Sequence, residues 1–223
     1  MEERKEKNLQ FYQGKKDLKV KNSNIAGLIL AGGKSRRMFF KDKSLKTIES
    51  ISLIDLVLAR VKNQIKVVGI NSNNSDFGEM YKNTFVLKDC IKGNLGPLVG
   101  VLTGLKWLEL KYPEIDWLVT FPVDTPFFPA TLIDKIFENI TDELIISVKS
   151  KNRTHPALAA WNIRLTDNLE ASIQKKNLKI DEFTKNFKMR VVNFQNIDYD
   201  PFFNINNDDD LKIARNIYKK YIK

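Results

Sequence analysis

The 223-residue chain is expected to fold as one α/β domain, a mostly parallel central sheet covered by helices on both faces and so a three-layer sandwich. Three features argue for it. Short apolar, β-branched segments alternate with stretches of helical period. The strand candidates are almost continuously apolar, which suits strands buried on both faces rather than on one. The composition, 43% hydrophobic and 29% charged, is that of a globular domain long enough to bury a sizeable core.

The alternation runs in order. IAGLIL (25–30) is the first strand candidate, followed by a helical stretch, LIDLVLARVKN (53–63). KVVGI (66–70) and TFVL (84–87) read as strands, and PLVGVLTGLKWLELK (97–111) as a helix opened by Pro97, whose fixed φ suits a first helical turn. DWLVTFP (116–122) is a strand, LIDKIFENI (132–140) a helix and ELIISV (143–148) a strand. Near the end, Asn207 followed by three aspartates and then LKIARNIYKKYI supplies an N-cap, an acidic first turn and a basic last turn, which together specify a C-terminal helix. Sheets of this kind bind ligands beyond the carboxyl ends of their strands, so the residues after each strand are where chemistry is expected. All ten glycines lie at or before Gly104, and the second half is expected to build one wall of the site.

Charge narrows the function classes. The formal charge of +10 divides into +3 over residues 1–24, +3 over the body and +4 over residues 215–223, so the body is nearly balanced. No basic stripe with interleaved aromatics is present, which argues against nucleic acid as a partner. The apolar runs are far shorter than the roughly 18 residues that span a bilayer, and residues 1–24 lack the apolar core of a signal peptide. These features predict a cytoplasmic protein without membrane association, with residues 1–24 a flexible basic extension and 25–223 the single domain. One cysteine, Cys90, excludes an internal disulfide, and one histidine, His155, limits imidazole chemistry to that residue.

The loop after the first strand, LAGGKSRRMFFKDK (30–43), is the most informative segment. Two glycines directly after a buried strand allow a sharp turn and close backbone approach, while Arg36, Arg37 and Lys43 supply cations for phosphate oxygens. The composition points to a nucleotide, although a solvated basic loop has the same letters. It is not a P-loop, because pairing Gly33 with Lys34 would require glycine at Leu28. A GxGxxG fingerprint is also missing. Downstream, WLVTFPVDTPFFP (117–129) sets Asp124 just beyond a buried strand, on the edge expected to hold the glycine loop. A carboxylate there suits Mg²⁺ bridging nucleotide phosphates, and equally an Asp turn or a helix cap.

Taken together, LAGGKSRRM with Asp42 and Lys43, Asn71, Asp89, GPLVG (96–100), VDTPFFP (123–129), RTHPALAAW (153–161) and NIN (204–206) resemble the molybdenum cofactor guanylyltransferase family, in order over residues 25–214. The resemblance implies a Rossmann-like fold of the nucleotide-diphospho-sugar-transferase kind. It further implies transfer of GMP from GTP to molybdopterin-bound molybdenum, with pyrophosphate released and Mg²⁺ as cofactor. By the same pattern Leu30, Ala31, Gly32, Asn71 and Asp89 surround the guanosine, Lys43 meets phosphate and Asp124 holds Mg²⁺. Arg37 and Lys43 would stabilise charge at the α-phosphate and the departing pyrophosphate. His155, Asn204 and Asn206 fall on the acceptor side, and acceptor molybdoenzymes or their chaperones are the implied downstream partners.

The chain departs from that pattern where relatives have two glycines after RRM, for Phe39 and Phe40 stand there, and where Val123 replaces a common cysteine. Three readings therefore stay open: the guanylyltransferase, a cytidylyl- or sugar-phosphate nucleotidyltransferase of the same fold, and a non-catalytic carrier of nucleotide or pterin.

Overall fold

In the computed structural model, the residues described are 24–32, 43–93, 95–195 and 198–223. The expected extension, but for Asn24, and the segment 33–42, with Arg36, Arg37, Phe39 and Phe40, lie outside them.

Among the described residues nine strands form: β1 (Ile25–Leu30), β2 (Thr47–Ile48), β3 (Ile51–Ser52), β4 (Val67–Asn71), β5 (Phe85–Leu87), β6 (Trp117–Pro122), β7 (Ile145–Ser150), β8 (Arg153–Asn162) and β9 (Met189–Asn193). Seven of them make the central sheet in the order β5-β4-β1-β6-β8-β7-β9, and β2 and β3 pair separately as a hairpin. β1 runs parallel to β4 and β6, with Leu30 beside Asn71 on one side and Pro122 on the other. β8 is antiparallel to both β6 and β7, while β9 pairs parallel to β7. Thus β8 alone opposes the common direction. Sequence reading passed over β8 and β9: Pro156 interrupts the first, and the second alternates exposed and half-buried residues at the sheet edge.

The helices are α1 (Leu53–Lys62), α2 (Phe77–Met80), α3 (Pro97–Lys111), α4 (Leu132–Phe137), α5 (Thr166–Gln174), α6 (Ile180–Thr184) and α7 (Asp208–Ile217). β1 shows why three layers result. All six of its residues are buried; Ile25 and Ile29 join one core with Val57 and Val61 of α1, Ile136 of α4 and Ala214 of α7. Ala26, Leu28 and Leu30 face the opposite core, with Leu102 and Leu105 of α3, Leu169 of α5 and Phe183 of α6. Each fully buried Leu or Ile adds roughly 1.5–3 kcal/mol relative to exposure, so this double-sided strand is the hub of the fold. α3 can lie close to the sheet because residue 104 is glycine; a Cβ there would come within 2.7 Å of side-chain carbons of both Leu28 and Leu118.

Local signals behave as expected at two helix ends. Pro97 occupies the first turn of α3. α7 begins with a complete capping box in which Asn207 accepts from the Asp210 amide and the Asp210 carboxylate accepts from the Asn207 amide. Among the described residues, no helix is long and apolar enough to cross a membrane.

Candidate functional site

The parallel strands β1, β4, β5 and β6 deliver their carboxyl ends to one edge of the sheet. The β1 ladder continues past the strand on both sides: the Ala31 amide donates to the Asn71 carbonyl at 3.0 Å, and the Val123 amide donates to the Leu30 carbonyl at 3.2 Å. Leu30, Ala31 and Gly32 are thereby held between Asn71 and Asp124, because β1 lies between β4 and β6 in the sheet.

Asn71 is the last residue of β4 and only 4% exposed. Its amide Nδ2 donates to the Leu87 carbonyl at 3.2 Å and to Asp89 Oδ1 at 2.9 Å. The other carboxylate oxygen of Asp89 accepts from Asn73 Nδ2 at 2.7 Å, and the Asp89 amide donates to Asn73 Oδ1 at 3.0 Å. Both Asp89 oxygens are thus engaged within the protein, each keeping a further lone pair. A glycine at position 100 makes this arrangement possible: a Cβ on it would stand 2.6 Å from Asn71 Oδ1 and 2.9 Å from Leu30 Cδ2. Real Cβ atoms do not approach so closely, so the GPLVG glycine is a steric requirement of the Asn71 position.

Asp124 follows β6. Thr125 closes the turn after the strand, its amide and hydroxyl both donating to the Pro122 carbonyl, and the Ile205 amide donates to the Asp124 carbonyl at 2.9 Å. Asp124 does not cap α4, whose N-cap is Thr131. Lys43 Nζ donates to Asp124 Oδ2 at 2.8 Å and to Asn206 Oδ1 at 3.1 Å. The pair is largely withdrawn from water, its side chains 17% and 22% exposed, so desolvation offsets much of its attraction and its meaning is positional: it joins the end of the loop after β1, the loop after β6 and the segment before α7. The remaining oxygen, Asp124 Oδ1, is buried without a hydrogen-bond partner among the described residues, and so is Asn204 Oδ1. Buried acceptors left unpaired cost about 1–3 kcal/mol each, and both residues line the same cavity.

The facing wall comes from β8. Its pairing with β7 slips between Ser147, which faces Ala159, and Val148, which faces His155, so residues 156–158 bulge from the ladder. Thr120 Oγ1 holds the bulge by donating to the Ala157 carbonyl at 2.8 Å, and Trp161 Nε1 in turn donates to Thr120 Oγ1 at 3.0 Å. His155, 8% exposed, packs at a tilt against Phe202 with ring centroids 5.1 Å apart, and its Nε2 lies 3.0 Å from Ser150 Oγ. Ser150 Oγ donates to Asp200 Oδ1 at 2.7 Å. Burial depresses the His155 pKa, partly countered by Asp200 and reinforced by Arg153.

Between these walls lies a cavity of about 580 Å³. Of the residues singled out in the sequence, it brings together Leu30, Ala31, Gly32, Lys43, Asp124, His155, Asn204 and Asn206. Asn71 and Asp89 stand behind Leu30–Gly32 rather than on the cavity lining, and Arg37 falls outside the described residues. Sequence reasoning missed Ser150, Asp200, Arg153 and Thr125. The first two act through contacts 5 and 50 residues apart and carry no local signal; Arg153 was legible only as the first letter of a motif.

Residues 27–186 match the family model described as a MobA-like NTP transferase domain. A molybdenum cofactor guanylyltransferase of Mesorhizobium japonicum is 36% identical over 197 residues, covering 86% of this chain and 94% of that protein. The crystal structure of molybdopterin-guanine dinucleotide biosynthesis protein A from Archaeoglobus fulgidus superposes with a TM-score of 0.69 at 21% identity, over 87% of this chain and 99% of that one. The structure of 4-diphosphocytidyl-2C-methyl-D-erythritol synthase from Anaerococcus prevotii gives 0.66 at 14% identity, over 89% and 97%. At these identities the two structures speak for the fold alone, and that fold is the three-layer α/β sandwich with a mostly parallel sheet.

Proposed function

The chain belongs to the MobA-like NTP transferase family, and from that membership we propose that it is a molybdenum cofactor guanylyltransferase, transferring GMP from GTP to molybdopterin-bound molybdenum. The reading draws on relatives of that name at 32% and 36% identity over most of the chain. The observation that carries it at the site is the Lys43–Asp124–Asn206 contact beside Asp124 Oδ1, which has no hydrogen-bond partner among the described residues.

The residues fit a divalent cation. Among the described residues no three His, Cys, Asp or Glu side chains gather as a closed metal cage, but Mg²⁺ is commonly held by one or two carboxylates together with substrate phosphates. Asp124 Oδ1 would hold Mg²⁺, which when bound supplies positive charge to the nucleotide phosphates. Lys43 already engages Oδ2, which leaves Oδ1 as the carboxylate oxygen for the metal.

In this reading Leu30, Ala31 and Gly32 offer backbone to the guanosine, and Asn71 and Asp89 fix their position from behind. An oxygen of the acceptor's terminal phosphate attacks the α-phosphorus of GTP, the new P–O bond forms as the bond to the β-phosphate oxygen breaks, and pyrophosphate leaves with that electron pair. The acceptor phosphate is ionised at neutral pH, so no general base is needed; the Lys43 ammonium stabilises the charge that builds at the phosphates. Arg37 is assigned to the same charge, and His155, Asn204 and Asn206 to the acceptor wall. We place the reaction in the cytoplasm, with the product passed to molybdoenzymes or their chaperones.

The test is pyrophosphate release with molybdopterin and each nucleotide in turn. GTP is expected to be used in strong preference to CTP and ATP. Equal use of CTP would replace the guanylyltransferase by a cytidylyltransferase, and binding of GTP without release under any condition would make the chain a carrier.

A further inference from the structure

His155 is the one histidine in the chain, and its hydrogen-bonding state follows from proton counting. Asp200 Oδ1 accepts twice, from Ser150 Oγ at 2.7 Å and from the Phe202 amide at 3.0 Å. A serine hydroxyl has a single proton, and here it is committed to the carboxylate. Toward His155 Nε2, at 3.0 Å, Ser150 Oγ therefore has only lone pairs to offer. The imidazole must bring the proton, so Nε2 carries it. In a neutral ring Nδ1 is then bare, and it has no hydrogen-bond partner among the described residues. His155 lines the cavity, its ring packed at a tilt against Phe202 and its backbone paired with Val148 next to the bulge in β8.

We propose that the Asp200–Ser150 chain fixes His155 as its Nε2–H tautomer, so that Nδ1 presents a hydrogen-bond acceptor to a ring N–H of the heterocycle carried by the acceptor substrate. This rests on the guanylyltransferase reading for the identity of that substrate, a pterin. The alternative role for a histidine at a phosphate-handling site, an imidazolium clamp, does not suit these neighbours. Burial holds the ring neutral, Arg153 opposes its protonation, and the one carboxylate that favours it, Asp200, is reached only through Ser150. A bare nitrogen lone pair repels phosphate oxygens and attracts an N–H. His155 is thus a residue for recognising the acceptor ring, while Lys43 serves phosphate.

Because the chain has one histidine, long-range ¹H–¹⁵N correlation on protein labelled in that residue gives one pair of ring nitrogens. At neutral pH Nε2 is expected to be protonated and Nδ1 unprotonated, and 6-hydroxymethylpterin is expected to move the Nδ1 signal. Ser150→Ala should populate both tautomers. In turnover, His155→Gln keeps a donor toward Ser150 but has no acceptor at the Nδ1 position; the acceptor KM should rise roughly three- to tenfold, the worth of one net hydrogen bond, with the GTP KM unchanged. His155→Asn, whose side-chain oxygen can take the Nδ1 position, should recover part of that loss. An Nδ1–H tautomer, an imidazolium at neutral pH, an Nδ1 signal indifferent to the pterin or a Gln variant with the wild-type acceptor KM would each overturn the proposal. If wild type releases no pyrophosphate, the functional reading fails instead, and the tautomer and pterin measurements still decide the role of His155.

Discussion

The two walls of the cavity are built by different means. The wall formed by Leu30–Gly32, with Asn71 and Asp89 behind it, is made from the ends of parallel strands, each residue one step past an element that a short apolar run specifies, and knitted by backbone bonds such as Ala31 to Asn71. The wall formed by His155, Asn204 and Asn206 is made from an antiparallel strand with a bulge and an irregular segment, and is held by side chains: Ser150 to Asp200, Thr120 to Ala157, Lys43 to Asn206. A backbone-built wall suits a ligand component common to many enzymes of one fold. A side-chain-built wall can change its ligand by a few substitutions. On this view the first wall reads the nucleotide and the second the acceptor, with Lys43 and Asp124 at the seam.

The seam should break most severely. Asp124→Asn keeps the shape and the contact through Ile205 but replaces the oxygen that would hold the metal. We expect turnover to fall at least about a hundredfold, as when a charge-stabilising group is removed from an active site, with the melting temperature nearly unchanged. Pyrophosphate release measured across Mg²⁺ concentrations checks this, and near-normal activity at ordinary Mg²⁺ would remove Asp124 from the metal site.

Gly100→Ala tests the first wall alone. The added methyl would stand 2.6 Å from Asn71 Oδ1, so Asn71 or helix α3 must shift, at a cost of about 1–3 kcal/mol typical of overpacking. Expected are weaker GTP binding in calorimetric titration and an unchanged acceptor KM. If both ligands weakened equally, the division between walls would be wrong.

The smallest effect concerns the second wall and stability rather than turnover. His155 has a folded-state pKa below its ordinary value of about 6.5 because burial disfavours the imidazolium. As pH falls below that value the unfolded chain takes up a proton that the folded chain resists, so folding stability contributed by the neutral ring is present above it and lost as pH drops through the folded pKa. The melting temperature should decline in that window, and His155→Gln should remove that part of the slope. A variant whose acid slope matched wild type would show that the ring ionises freely in the folded state.

The sequence alone determined the parts that depend on neighbours in the chain. Apolar runs at 25–30 and 117–122 had to be buried strands, Pro97 and the Asn207–Asp210 box had to start helices, and Asp124 had to emerge at a strand end. Composition and order carried the resemblance, which membership of the family bears out. What tertiary structure decided are the relations between distant segments. It ran β8 against its neighbours, which a strand interrupted by Pro156 and begun by charged and polar residues did not announce. It joined both Asp89 oxygens to Asn71 and Asn73, contacts that the residues around position 89 do not specify. It also set Ser150 and Asp200, 50 residues apart, behind the single histidine. The physical reason is common to all three: a hydrogen bond or a strand pairing has a partner as well as a residue, and the partner is chosen by how the layers pack, which no local window of sequence contains.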